Sequence, residues 1–217
     1  MLVKQPVNPE ILKSRGAHRA SWLLIGALAL IGLATPHAFA ITAEDETMFG
    51  LEKGRPNWRL ETEDGFTLVF ERLYPDMVRT FLIGRGFELK AANRFAGTCV
   101  YKSVLRNSAK QGDLEVDLRD WRVLINGKPR PLMIEPDWQK EWEKLSVSPS
   151  ARIAFKWGQF QPHQVHGPND WLQGMSNMDL EPDTTFDLEI AWKRGNKTHQ
   201  AVLKGIRCGP PEAKQAQ

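Results

Sequence analysis

Cysteine is scarce in this chain of 217 residues, which contains only Cys99 and Cys208. No Cys-x-x-Cys occurs, so the sequence does not favour thiol redox chemistry or a thiolate metal site. In an oxidising compartment such a pair most often forms a disulfide, and we predict a Cys99–Cys208 bridge. Closing a loop of more than about a hundred residues would stabilise the fold by roughly 4 to 5 kcal/mol in the chain-entropy model.

Sequence motifs of enzymatic catalysis are lacking as well. The chain has no Gly-x-Ser-x-Gly turn, no glycine-rich phosphate loop and no His-Glu-x-x-His. Ser176 follows Gly174 at the required distance, but the second glycine is missing. A carboxylate pair for glycoside hydrolysis has no fixed spacing in sequence, so a hydrolase is kept as the last alternative. We expect a non-enzymatic protein.

The first 40 residues are typical of a cleavable secretory signal. An apolar run over 22–34 follows one acid and four basic residues, Lys4, Lys13, Arg15 and Arg19. The run is shorter than the roughly 20 residues of a membrane span, and Ala38-Phe39-Ala40 supplies the small residues of a cleavage site. No Arg-Arg pair precedes the run and no Cys follows it, which favours the general secretion route. We predict a signal peptide over 1–40, cleavage after Ala40, and a periplasmic or secreted protein.

Net charge is absent from the predicted mature chain. Removing four of 29 Lys and Arg and one of 26 Asp and Glu leaves 25 of each sign. A chain without net charge does not favour nucleic acid or anionic lipid as the main partner. Its length suits one domain over 41–208, followed by a flexible C-terminal tail over 209–217.

Alternation of apolar and polar residues predicts half-buried antiparallel strands. A strand over 99–105 is apolar on parts of both faces and is expected to be central. The other inward rows are Phe66, Leu68 and Phe70; Leu114, Val116 and Leu118; Trp121, Val123 and Ile125; Ile153, Phe155 and Trp157; and Phe186, Leu188, Ile190 and Trp192.

The sequence also predicts turns between these strands and irregularities within them. Asn126-Gly127 and Arg194–Lys197 predict hairpin turns. The apolar phase shifts near Arg119-Asp120 and again near Gly205, and we predict a β-bulge at each place.

Two short helices interrupt the strands. Apolar residues recur at helical spacing over Leu89–Ala96 and over Asp137–Leu145, where Trp138 and Trp142 share one face. This pattern predicts a mainly all-β, antiparallel two-sheet sandwich of immunoglobulin-like character with two short helices.

The segment 158–178 is rich in turn residues and predicts a long loop, which in a compact domain is functional or disordered. It contains His163, His166, Met175 and Met178, and imidazole and thioether are ligands for copper. In an extended strand, His-x-x-His would send the two rings to opposite faces, so a shared ion needs a turn between them. The alternative is that the methionines simply fill the core.

Two further surfaces each have a structural and a functional interpretation. The acidic stripe of Asp113, Glu115 and Asp117 is either a solvated strand face or a Ca²⁺ site of oxygen ligands. Trp138 and Trp142 either cover the core or, with Trp171, serve as exposed anchors for a partner.

This combination of an export signal, short strands and a sparse His/Met set resembles exported bacterial immunoglobulin-like domains that act as accessory or copper-handling factors. The resemblance implies a non-enzymatic accessory domain that contacts a periplasmic or membrane-protein partner through the 158–178 loop. The alternative that it implies is a periplasmic copper chaperone using the His and Met ligands of that loop.

Overall fold

The computed structural model describes residues 51–210. The predicted signal peptide, its cleavage site after Ala40 and residues 211–217 of the predicted tail lie outside the described residues. Within 51–210, every helix is too short or too polar to span a bilayer.

Ten strands and four helices make up the described chain. In order they are β1 (Asn57–Glu61), β2 (Phe66–Arg72), α1 (Pro75–Ile83), α2 (Leu89–Ala96), β3 (Val100–Asn107), β4 (Leu114–Asp117), a 3₁₀ turn (Leu118–Asp120), β5 (Arg122–Ile125), β6 (Lys128–Pro131), α3 (Glu135–Lys144), α4 (Pro149–Gly158), β7 (His163–His166), β8 (Trp171–Asn177), β9 (Thr185–Arg194) and β10 (Lys197–Arg207). The strands form two antiparallel sheets, so the predicted β-sandwich is confirmed.

The first sheet has the order β1-β2-β3-β8. Its central pair is in register with Leu68 opposite Leu105 and Val69 opposite Val104. Because side chains alternate along a strand, Leu68 and Leu105 point to the sandwich interior and the valines to the outer face. The expected central position of the third strand is confirmed, since β3 lies between β2 and β8.

The second sheet is built around β9. One edge of β9 pairs with β10, and the other pairs first with β5 and then with β4, with Glu115 opposite Lys193. The 3₁₀ turn Leu118–Asp120 separates β4 from β5. The strand is therefore interrupted where a β-bulge was predicted, but by a 3₁₀ turn and not by a bulge. The Asp117 carboxylate caps this turn by accepting from the Arg119 N–H.

Both hairpin predictions and the bulge predicted near Gly205 are confirmed. Asn126-Gly127 connects β5 to β6 with positive φ at both residues, 51° and 74°, as a two-residue hairpin turn requires. Lys197 pairs with Arg194 across the second hairpin. The ladder between β9 and β10 shifts register between Leu203 and Ile206, and Gly205 in between has a φ of 68°.

The sandwich core lies between the two sheets and is rich in aromatic rings. Phe66 stacks on Trp192 with ring centroids 4.4 Å apart, and Phe70 meets Tyr101 edge to face. Burial raises the pKa of the Tyr101 phenol well above its usual range. The predicted disulfide is present, with Cys99 and Cys208 buried in this core.

A second core forms among the helices. Its buried side chains come from all four helices, from Phe87 between α1 and α2, and from the strands β3 and β8. The rings of Phe95, Trp138, Trp142 and Phe155 form one contact cluster. The predicted helix over 89–96 is confirmed, and the one predicted from Asp137 begins two residues earlier.

The strand predicted through Ile153, Phe155 and Trp157 is wrong, because these residues lie on α4. Ser148 caps this helix by accepting from the Ala151 N–H, and Pro149 occupies its first turn. Phe155 is buried, whereas Ile153 and Trp157, four residues apart, share an exposed face.

Candidate functional site

The segment 158–178 is mostly strand, so the prediction of one long loop is wrong. β7 and β8 occupy much of it, pairing with β4 and β3 respectively. Four of its turn residues, Gly167 to Asp170, form the short connection between the two strands, where Asn169 has a φ of 63°. Pairing with distant strands is a tertiary effect that local composition does not show.

The two histidines of this segment lie on opposite faces of β7. His163 is exposed, and its Nε2 lies 3.4 Å from Glu115 Oε1. His166 is buried, with Nε2 2.8 Å from Gln164 Oε1 and Nδ1 3.3 Å from Asp170 Oδ2. Both ring nitrogens of His166 therefore have partners within the chain, and the two imidazoles do not share a face.

The two methionines are separated as well. Met178 is fully buried in the sandwich core, and Met175 lies in the helical core. The structure therefore does not bring together the four residues that were predicted as copper ligands. Over 51–210, no group of three or more His, Cys, Asp or Glu side chains is placed to hold a metal ion.

The tryptophans predicted as partner anchors divide into two kinds. Trp138 and Trp142 are 1% and 0% exposed, so they have the alternative role of core residues. They are buried because α3 packs them against Phe95 and Phe155. Trp171 is 51% exposed on the outer face of β8, so for this residue the anchor role stays a prediction.

Two acids of the predicted stripe, Glu115 and Asp117, lie on the solvated face of β4 and are paired within the chain, while Asp113 is exposed just before β4. Hydrogen bonds from Lys193 and His163 lower the pKa of the Glu115 carboxyl. The Arg119 guanidinium binds both oxygens of Asp117 and lowers its pKa. Basic side chains thus occupy the places where a calcium ion would be needed.

A groove that sequence reasoning missed lies on the outer face of the first sheet. Its floor is formed by β3 and β8 and its walls by α1 and α4, and its volume is about 580 Å³. The lining residues are Leu73, Met77, Val78, Phe81, Arg85, Lys102, Ala154, Trp157, Gly158, Gln173, Gly174 and Met175. Four of these belong to the segment 158–178.

Two glycines shape the groove by permitting close approach. A Cβ on Gly174 would lie 2.4 Å from the Phe160 backbone nitrogen, so β8 can meet the end of α4 only because this position lacks a side chain. The contact is held by the Phe160 N–H, which donates to the Met175 carbonyl at 2.8 Å. A Cβ on Gly158 would lie 2.8 Å from the Phe81 ring, which forms the opposite wall.

The groove's polar groups are mainly cationic. Lys102 rises from the floor, and its Nζ lies 3.9 Å from Oε2 of the buried Glu71. Glu71 also accepts from the Glu52 N–H at 2.6 Å and lies 3.7 Å from Arg55. On the wall, the Arg85 guanidinium stacks 3.3 Å from the Phe81 ring centre and donates to the Phe81 carbonyl.

The rim of the groove carries the most exposed large apolar side chain of the described chain. Trp157 is 79% exposed, and Ile153, one turn earlier on α4, is 60% exposed. On the facing helix Met77 is also exposed. Trp171 stands on the same outward row of β8 as the groove residues Gln173 and Met175. These exposed residues, Ile153, Trp157, Met77 and Trp171, are called the rim below.

The sequence does contain patterns that indicate the two helices of this site. Val78 and Leu82 lie four residues apart behind Pro75, which is a helix-start pattern. On α4 the spacing of Ile153 and Trp157 fits a helix as well as the alternation of a strand, and the Ser148-Pro149 start decides between them. That the two helices meet over β8 is not encoded locally.

No family model, no curated protein and no solved structure matches this chain. The described residues define its class by themselves. It is a disulfide-bonded antiparallel β-sandwich whose helices frame an apolar groove on the outer face of one sheet.

Proposed function

We propose that the protein is an exported, non-enzymatic accessory domain that binds a partner protein through the rim of the groove. The observation that carries this proposal is the exposure of Trp157, 79%, together with that of Ile153 on the same face of α4. Tryptophan is enriched at the energetic centres of protein interfaces because it offers a large contact area at a low entropic cost. Neighbouring exposed apolar side chains are typical of interaction sites.

Three further features support the proposal. The basic N-terminus and apolar run predict export, and a disulfide suits an oxidising compartment. Trp171, which the sequence also pointed to, extends the rim along β8. The polar groups that line the described groove are Lys102, Arg85 and Gln173, which are suited to holding a bound group in place.

Site-specific photocrosslinking in cells of the native host tests this proposal. A photoreactive phenylalanine derivative replaces Ile153 or Trp171 in the rim, or Lys128 on the hairpin of the other sheet as a control. We expect one discrete adduct from both rim positions and none from Lys128, because only the rim would face the partner. The adduct is identified by mass spectrometry.

The affinity of the protein for the purified partner is then measured. We expect Trp157→Ala to weaken its binding about tenfold or more, as hot-spot truncations do. The matched variant Lys128→Ala leaves the affinity unchanged. Equal adducts from all three positions, or none from the rim, would contradict the proposal.

A further inference from the structure

The groove itself has the dimensions and lining of a small-molecule site. Its volume of about 580 Å³ falls within the range of roughly 300 to 1,000 Å³ that is usual for ligand pockets. It lies between two helices and a sheet face, where its shape is set by packed secondary structure. It is therefore a site in its own right, although it shares Met77 and Trp157 with the rim.

The walls offer hydrocarbon and aromatic contacts along their length. Val78 and Phe81 come from α1, Trp157 from α4 and Met175 from β8. Met77 adds a second thioether, and methionine adapts to apolar ligands because its unbranched side chain is flexible. Such walls suit an unbranched hydrocarbon chain.

The charge of the lining favours an anionic end group. The groove-lining residues include the cations Lys102 and Arg85 and no acid. Lys102 Nζ lies 3.9 Å from Oε2 of Glu71, and this carboxylate is shared with Arg55 and with the Glu52 N–H. The Lys102 side chain is only 21% exposed, and a partly desolvated ammonium attracts an anion more strongly than an exposed one.

A peptide segment fits this lining less well. Each of its residues would bring an N–H and a C=O that need hydrogen-bond partners once they are buried. The one neutral polar side chain among the lining residues is Gln173. A ligand whose polar atoms are confined to one end matches a groove that has apolar walls and the cation of Lys102 on its floor.

We propose that the groove binds a monoacyl carboxylate, an unbranched hydrocarbon chain with one anionic head group. The chain lies between α1 and α4 against Phe81, Trp157 and Met175, and the carboxylate pairs with Lys102. Arg85 adds a second positive charge at the wall. This activity goes beyond the binding of a partner protein and does not depend on it.

Calorimetric titration of the purified exported protein with dodecanoate, below its micelle concentration, tests the inference. We expect saturable one-to-one binding of dodecanoate. 1-Dodecanol and dodecyltrimethylammonium have the same chain with a neutral or cationic head, and we expect each to bind at least about tenfold more weakly, because neither forms a charge-assisted contact with Lys102.

Two variants locate the ligand. Ala154→Phe fills the groove from α4, and we expect it to reduce dodecanoate binding more than about tenfold. Lys102→Gln removes the head-group cation and is expected to abolish the preference for dodecanoate over dodecanol, whereas the matched Lys128→Gln on β6 changes neither affinity. A thermal melt of each variant verifies that it is folded.

Several results would overturn the inference. One is equal binding of the three amphiphiles, and another is unchanged dodecanoate binding in Ala154→Phe. A third is failure of dodecanoate to bind while Ala154→Phe blocks the rim cross-link to the partner, which would assign the groove to a segment of that protein. Dodecanoate binding without any rim cross-link would instead reject the partner proposal and support this one.

Discussion

Cys99 and Cys208, 109 positions apart in sequence, connect the start of β3 in one sheet to the end of β10 in the other, with Cα atoms 5.1 Å apart. Each cysteine is also anchored by its backbone: the Cys99 carbonyl accepts from the Met178 N–H, and the Cys208 N–H donates to the Thr184 carbonyl. The disulfide therefore joins positions that the sheets already hold close together.

Removing the disulfide should lower the stability of the fold without changing its architecture. We expect the Cys99→Ala/Cys208→Ala variant to lose roughly 4 to 5 kcal/mol of unfolding free energy, because its unfolded chain regains the entropy of a long open loop. Urea denaturation of the oxidised protein and of the variant measures the difference. A loss below about 1 kcal/mol would show that strain in the folded state offsets the entropic gain.

Trp142 and Trp121 differ in whether the indole N–H is hydrogen-bonded. Trp121 Nε1 donates to the Ala191 carbonyl at 2.9 Å, whereas Trp142 Nε1 is buried without a hydrogen-bond partner among the described residues. We expect Trp142→Ala to cost roughly 3 to 5 kcal/mol. Trp142→Phe should cost about 1 kcal/mol less than Trp121→Phe, because only the latter leaves a buried carbonyl unpaired.

Chemical denaturation of the two Phe variants measures this difference. Trp142→Ala serves as the control for the loss of ring packing. Equal costs for the two Phe substitutions would mean that the Trp121 hydrogen bond adds nothing to the stability.

Asp64 makes stability depend on pH in the acid range. Burial raises the pKa of its carboxyl, but hydrogen bonds from Thr62 and Trp192 and the Arg194 guanidinium outweigh burial, so the pKa is lowered from 3.8. A lowered folded-state pKa means that the ionised form stabilises the protein above the unfolded-state value. This contribution is lost as the pH falls through the folded-state pKa.

Asp64→Asn should therefore destabilise the protein at about pH 6 by roughly 1 to 2 kcal/mol and by much less at about pH 2.5. Urea midpoints at the two pH values measure the change. Asp113→Asn, at an exposed position before β4, is the matched control and should show no such convergence. A pH-independent cost for Asp64→Asn would assign the effect to shape and not to charge.

The separation of the predicted copper ligands leads to a direct expectation. Because His163 and His166 lie on opposite faces of β7 and the methionines lie in different cores, the four cannot bind one ion without rearrangement. In a Cu(I) competition titration we expect no tight one-to-one site. Tight binding that is lost in His163→Ala/Met175→Ala would contradict this expectation and make copper handling the leading function.

Much of the sandwich could be predicted from local pattern. The row Phe186, Leu188, Ile190 and Trp192 alternates cleanly, and it became β9, the strand around which the second sheet is organised. The turn at Asn126-Gly127 and the bulge at Gly205 were predictable because the ability to adopt a positive φ is a property of the individual residue. Such features depend on a few neighbours along the chain, so they are visible without a structure.

The helices and short strands were harder to predict. Ile153, Phe155 and Trp157 alternate like a strand, but the Ser148 cap and the burial of Ala151 and Phe155 against the aromatic cluster favour α4. β7 and β8 were not predicted, because they lie in a turn-rich segment and their pairing partners are far away in sequence. For these elements tertiary packing overrides local propensity.

The sequence by itself determined the sandwich, its hairpins and the Cys99–Cys208 pair. Only the tertiary structure decided that Trp138 and Trp142 are core, that Trp157 is exposed, and that α1 and α4 frame a groove over Lys102. The physical reason is that periodicity states which residues share a face of an element, whereas burial depends on what covers that face.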